Sequence, residues 1–242
     1  MALYRERGVV LRTYKLGEAD RIVSFVTEGK GKVRAVAKGV RKTRSRFGGR
    51  LEPTSHLQVQ FYEGRGDLDI VTQAESIKAF RNIREDLDRF AKAIVFLEAV
   101  DQMSEEGQSA PQFYKMLVGA LSTLDDADSA LIVPAFLLKL LASEGFSPTL
   151  DRCVIGGESG VELVAFDVDR GGAVCVDHRR GRTVSRECLA VMRAILGGGL
   201  GTVLEVPVSQ VTHEVDALVN RLYEHHLERR LRSAHLLDRI RP

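Results

Sequence analysis

Residues 32–62 read KVRAVAKGVRKTRSRFGGRLEPTSHLQVQFY, and both ends of this stretch alternate. Leu57, Val59 and Phe61 interleave with Gln58, Gln60 and Tyr62, the period of two that marks a half-buried strand. At the other end Val33, Ala35 and Ala37 share one parity, while Lys32, Arg34, Val36 and Lys38 share the other. Successive side chains of a strand point to opposite faces, so this strand has an apolar side and a cationic side. Residues 39–50 join the two strands and add Arg41, Lys42, Arg44, Arg46 and Arg50, with Gly39, Gly48 and Gly49 among them. That composition predicts a mobile basic loop between two barrel strands.

The basic block has sharp limits. Residues 29–51 hold nine Lys or Arg and no Asp or Glu: Lys30, Lys32, Arg34, Lys38, Arg41, Lys42, Arg44, Arg46 and Arg50. Residues 1–80 carry 16 basic and 9 acidic side chains, net +7, and the other 162 residues carry 19 and 24, net −5. A net charge of +2 therefore hides a basic N-terminal part and an acidic remainder. Concentrated positive charge favours a polyanion, of which nucleic acid is the commonest. The plain alternative is a solvated loop, but nine like charges without a counter-charge repel one another. Phe47, inside the loop, is the candidate for stacking on bases. Tyr14 could do the same, and Phe25 and Tyr62 read equally well as core.

Working outward, segments 8–16, 21–27, 32–37, 56–62 and 68–73 are rich in Val, Ile, Leu, Phe, Tyr or Thr and bounded by turn residues. Five short strands suit an oligonucleotide-binding (OB) barrel, although an SH3-like barrel has a similar strand count. From Asn82 the period changes to three and four. Ile83, Leu87, Phe90, Ile94, Leu97 and Val100 form one helical face, and Phe113, Leu117, Leu121 and Leu124 form another. Helices are also predicted at 134–144, 186–195 and 211–239. The expected fold class is α+β: an OB domain over 1–80, then a helical domain over 81–242 interrupted by a small zinc-ribbon-like insertion at 151–183.

The insertion carries the second candidate site. Cys153, Gly156, Cys175 and His178 stand where C-x2-C-x18-C-x2-H would be written if residue 156 were cysteine. The preferred expectation is a zinc-free loop that keeps part of such a site, because structural zinc takes four ligands. The competing one is zinc held by Cys153, Cys175 and His178, with water, Asp177 or Asp151 as the fourth. Cys188 reads as a core residue of a helix.

Enzyme signatures fail. His213-Glu214 lacks the second histidine of a zincin, and the glycines at 197–201 follow a helix and lack a P-loop lysine. No catalytic residue is assigned. The opening MALYRERGVV is too charged for a signal peptide, and no apolar run reaches the ~18 residues of a membrane span. Three cysteines do not suggest a disulfide framework, so a reducing cytoplasm is the expected location.

These residues together resemble the bacterial recombination mediator family RecO. The resemblance rests on Tyr4 with Arg5-Glu6-Arg7-Gly8-Val9-Val10-Leu11, on Gly17-Glu18-Ala19-Asp20-Arg21, and on Gly29-Lys30-Gly31-Lys32 with Val36-Ala37-Lys38-Gly39. Phe136-Leu137-Leu138-Lys139-Leu140-Leu141, Gly145-Phe146-Ser147-Pro148 and Leu150-Asp151-Arg152-Cys153 extend it. It implies binding of single- and double-stranded DNA and annealing of complementary strands. It also implies loading of RecA with the partner RecR, contact with the acidic C-terminal tail of single-strand-binding protein, and a cytoplasmic, nucleoid-associated location. Many relatives have four cysteines where this chain has Cys153, Gly156, Cys175 and His178. A reading from another class is an interaction scaffold whose basic loop holds acidic protein. DNA would displace such a partner only if both share the loop.

Overall fold

Five segments close into a barrel in the computed structural model, which describes residues 2–233. They are β1 Leu3–Leu16, β2 Asp20–Thr27, β3 Gly31–Ala37, β4 His56–Tyr62 and β5 Asp69–Lys78. The order around the barrel is β1-β2-β3-β5-β4, with β4 returning to β1. Neighbours are antiparallel except β3 and β5, which run parallel and meet only at Ala35–Asp69 and Val36–Ile70. This is the five-stranded OB-type barrel that the alternation and charge pattern predict.

β1 is longer than expected because it serves two partners. Residues Leu3 to Val9 pair with β4, and Gly8 to Leu16 pair with β2. The YRER segment at 4–7 is polar on both faces, so periodicity alone does not reveal it as strand. The barrel is filled by Val10, Val23, Phe25, Val33, Ala35, Leu57, Val59, Phe61 and Val71. Phe25 meets Phe61 edge-on at 5.4 Å between centroids, and Tyr4 stacks on Phe61 at 5.1 Å.

The helices begin with α1 Arg81–Glu85 and α2 Leu87–Met103. One face starting at Ile83 is expected, but the run breaks at Asp86. Its backbone is extended, and its side chain accepts the Arg89 N–H as an N-cap. The break resets the helical phase, so Leu87 is 69 % exposed instead of buried. α3 Pro111–Asp126 buries Phe113, Leu117, Leu121 and Leu124 as expected.

By their contacts the described residues divide into two units, 2–127 with 232–233, and 128–231. In the second unit α4 Ile132–Ser143, α5 Arg186–Leu196 and α7 Gln210–Leu227 pack against one another. Pro134 is accommodated in the first turn of α4, where N–H groups have no intrahelical partner. Between α4 and α5, β6 Leu163–Asp167, β7 Gly172–Cys175 and β8 Arg182–Thr183 form a sheet in the order β7-β6-β8. A short helix, α6 Leu200–Leu204, follows the 197–199 glycines and was not expected. α7 stops at Leu227 rather than 239, where Glu228 takes a left-handed backbone (φ +50°). Of the predicted final helix, His235, Leu236, Arg239, Ile240 and Arg241 lie outside the described residues.

Phe47 belongs to the barrel core, 1 % exposed, with Leu51 beside it. The expected stacking role is therefore corrected: the ring presents no face to a base here. Phe47→Ala is expected to destabilise the first unit by about 3–5 kcal/mol, whereas Phe47→Leu stays within about 1.5 kcal/mol. Urea unfolding followed by circular dichroism checks both. Equal, negligible losses would contradict the core placement.

Candidate nucleic-acid interface and candidate metal centre

Eight of the nine cations of the basic block fall into two groups, and Lys30 stands apart on the turn before β3. The β3 cations are neutralised. The Lys32 ammonium, its side chain only 16 % exposed, lies 2.8 Å from Asp101 Oδ1 and also donates to the Asp101 carbonyl. Asp101 sits near the end of α2, accepts from the Ser24 hydroxyl, and lies 3.6 Å from Arg12 Nε. Arg34 Nη1 pairs with Glu106 Oε1 at 3.2 Å. The cationic strand face expected from parity is thus largely answered by two carboxylates that follow it by about 70 residues in sequence.

Backbone geometry brings these carboxylates close. β3 meets β5 only near its C-terminal end, and its N-terminal edge instead receives residues 106–109. Lys32 bridges Glu106, and the Gly107 N–H points to the Lys32 carbonyl at 3.4 Å. Gly31 makes the contact feasible. It has φ +67°, and a Cβ there would lie 1.8 Å from the Gln108 carbonyl oxygen. The Ser109 hydroxyl donates to the Gly29 carbonyl in the same place.

The loop cations are different. Lys38, Arg41, Lys42, Arg44, Arg46 and Arg50 are all exposed, and among the described residues no carboxylate lies within 4.0 Å of them. The loop is also shaped. The Lys42, Ser45, Gly48 and Arg50 N–H groups each bond the carbonyl three residues back, making successive turns. Arg41 N–H bonds the Ala19 carbonyl, and at the far end the Thr54 N–H bonds the Val10 carbonyl while the Val10 N–H bonds the Ser55 carbonyl. Arg50 Nη1 donates to the Arg46 and Phe47 carbonyls, and Arg46 lies 4.8 Å over the Phe47 ring. A composition that suggests free motion is therefore tethered by Phe47 and Leu51. Lys30, on the β2–β3 turn, is exposed and sits 4.3 Å over the Tyr4 ring. Of the other aromatic candidates, Tyr14 is exposed, Tyr62 half-buried and Phe25 fully buried.

The insertion brings Cys153, Cys175 and His178 together, as the spacing suggests, and adds Glu158, which the spacing does not predict. One ligand atom from each of the four lies within 4.8 Å of every other. His178 Nδ1 is 3.5 Å from Cys153 Sγ, 3.3 Å from Cys175 Sγ and 3.9 Å from Glu158 Oε2. Zinc–sulfur and zinc–nitrogen bonds of about 2.3 and 2.0–2.1 Å at tetrahedral angles put S and N roughly 3.6 Å apart, so the donors fit such an ion. Burial opposes ionisation of the Cys153 thiol, but backbone N–H groups of Gly156, Cys175 and Ile155 and the Cys175 side chain outweigh it. The thiol is pulled down to about 7. Asp151 and Asp177, the carboxylates considered first, are not members of the cluster. Cys188 is buried on α5; burial first, then the Glu214 charge, pushes its thiol up to about 12, the state of an inert core residue.

A further cleft in the second unit, about 750 Å³, is lined by Arg180, Arg182, Arg221, Arg229 and Arg230 together with Asp167, Asp169, Glu224 and Glu228. Asp167 is almost fully buried and holds Arg180 Nε at 2.7 Å. No described helix is long and apolar enough to cross a membrane.

An OB barrel with an exposed cationic loop, followed by helices and a cysteine-bearing hairpin, is an architecture of the class that includes many nucleic-acid-binding proteins. Comparison with known proteins narrows the class. Residues 1–80 match the family Recombination protein O N terminal, and residues 84–235 match Recombination protein O C terminal. The chain is 42% identical over 251 residues to the DNA repair protein RecO of Streptomyces coelicolor, covering 99% of this chain and 100% of that protein. It is 41% identical over 244 residues to the DNA repair protein RecO of Bifidobacterium longum, covering 98% and 100%. The chain belongs to the RecO family of DNA repair proteins.

Gly31→Ala is expected to cost the first unit about 1–3 kcal/mol or more, from both the left-handed backbone and the clash with Gln108. Gly17→Ala has a similar φ but meets nothing within 4 Å, and should cost less. Thermal unfolding of the two variants side by side measures the difference.

Proposed function

We propose that this chain is a non-enzymatic DNA-binding recombination mediator that holds phosphates along residues 38–50 and anneals complementary strands. The observation that carries the reading is the set of six exposed, unneutralised cations on a loop pinned to the barrel. Neutralising phosphates releases their counterions, which drives binding without base readout. Two strands coated this way repel each other less and can approach to pair.

Family membership supports the remaining tasks: work on both single- and double-stranded DNA, loading of RecA together with RecR, and contact with single-strand-binding protein. Arg221 on α7 and Arg229 and Arg230 just past its end line the cleft of the second unit, and these guanidinium groups are suited to an acidic tail despite the carboxylates that share the cleft. The Cys153–Cys175–His178 cluster is read as a structural zinc centre that would cross-link two hairpins of the insertion. The reading also places the protein in the cytoplasm, at the nucleoid.

Replacing Arg41, Lys42, Arg44 and Arg46 by Ala together should weaken single-strand binding steeply. For single strands the log–log salt slope changes by ~0.7 per phosphate contact, so four lost contacts flatten it by about 3. Fluorescence anisotropy at several salt concentrations reads both quantities. An unaltered affinity and slope would sink the proposal. Lys32→Met and Arg34→Met should change the slope by less than one contact's worth, because Asp101 and Glu106 already occupy those cations. A loss in these variants equal to that of the loop would instead place the track on the strand face.

A further inference from the structure

We infer that Glu158 is the fourth ligand of the metal centre, supplying the donor that Gly156 lacks. The inference rests on the reading of the Cys/His cluster as a zinc site and goes beyond it by naming what completes the coordination.

The space tells most of the story. A Cβ built on Gly156 would fall 2.1 and 2.2 Å from the two carboxylate oxygens of Glu158. The Glu158 carboxylate therefore fills the volume into which a side chain at 156 would project, on the same side as Cys153. A short hairpin puts it there. The Cys153 N–H bonds the Glu158 carbonyl at 3.0 Å, and the Gly157 N–H bonds the Cys153 carbonyl at 2.8 Å. Arg152 and Ser159 bridge across the base of this turn. Gly157 takes φ +81°, a left-handed step that folds the chain back so that residue 158 faces 153.

The second hairpin comes from β7 and its following turn, which place Cys175 and His178 opposite. Cys153, Ala165, Val174 and Cys175 form the small apolar cluster beneath, with Ile155 and Val154 packed on it. The thiols are buried while Glu158 and part of His178 reach solvent. Two sulfurs, one imidazole nitrogen and one carboxylate oxygen make a closed tetrahedral set, and all three donor types are known zinc ligands. Exchanging a thiolate for a carboxylate makes the site harder, and so less favourable to soft metals than three thiolates and one histidine.

The test uses the full-length protein stripped of metal and titrated with Co2+, whose visible spectrum reports tetrahedral coordination. Wild type is expected to bind one Co2+ per chain with an intense ligand-field band. Glu158→Ala should weaken binding by about tenfold or more, since even loss of an outer hydrogen-bond partner has an effect of that order. The double variant Gly156→Cys with Glu158→Ala should restore tight binding and add charge-transfer intensity from a third sulfur. Gly156 does not have a left-handed φ, and the three atoms nearest to a Cβ there all belong to the Glu158 carboxyl group that this variant removes. The double variant should also shift metal preference towards Cd2+. Circular dichroism confirms that each variant is folded. If wild type takes up no Co2+, the metal reading itself fails and the inference with it. If wild type binds but Glu158→Ala keeps the same affinity and spectrum, the centre stands and Glu158 is excluded from it.

Discussion

The parallel contact between β3 and β5 governs much of the first unit. Only Ala35–Asp69 and Val36–Ile70 close the barrel there, yet that closure separates β3 from β4 in space although they are consecutive in the chain. The connection from Ala37 to His56 must therefore pass β5 across the barrel instead of turning back as a hairpin. A segment of that length with no partner strand would be floppy. Phe47 and Leu51 prevent this by entering the core from above, and the intervening turns satisfy the backbone. Basic side chains then have only one direction available, outward. The long cationic loop is a consequence of topology, and its stiffness a consequence of one aromatic anchor.

The same parallel closure leaves the N-terminal half of β3 without a strand on one side. Residues 106–109 fill that edge, and with them come Glu106 and, from α2, Asp101. An exposed strand edge invites pairing with another chain, so covering it protects the barrel. The electrostatic result is a division of labour. Lys32 ties α2 to the barrel through a pair with Asp101 that is largely shielded from solvent, whereas the Arg34 pair with Glu106 is open to solvent and adds little stability. The loop cations have no carboxylate partner among the described residues, although Arg41, Arg46 and Arg50 bond backbone carbonyls, and their charge is not neutralised. Counting positive charges along the sequence overstates the unneutralised surface, since charge that is already paired cannot also release counterions.

Much of the fold was legible because it rests on local pattern. The parity of Val33, Ala35 and Ala37, and of Leu57, Val59 and Phe61, marks core-facing strand positions, and all six are buried. What periodicity missed has physical causes. Tyr4 to Arg7 pair on a polar two-sided strand, where alternation carries no signal. Asp86 breaks a continuous apolar period by capping a new helix, which leaves Leu87 in water. The final helix was drawn too long because Leu231 continues an apolar series while Glu228 has already left helical geometry. Phe47 carries no core signal for a similar reason: it stands alone among basic, serine and glycine residues, and only the crossing of the barrel end turns it inward. The opposing carboxylates Asp101 and Glu106 lie too far along the chain for any local reading to find them.

The insertion shows the same limit in another form. Ligand spacing treats a metal site as positions on a line, and on that line Gly156 is a gap. Coordination, however, requires donors at points in space, and a point can be reached from more than one place in a tight hairpin. Gly157 reverses the chain so closely that residue 158 returns to the volume beside 156. A glycine at 156 is then more than a lost cysteine. It is the residue that leaves room for the Glu158 carboxylate, because any larger side chain would collide with it. Cysteine at 156 and glutamate turned inward at 158 are mutually exclusive solutions to one geometric demand. The gap in the cysteine pattern and the orientation of Glu158 are best understood as a single feature of this chain.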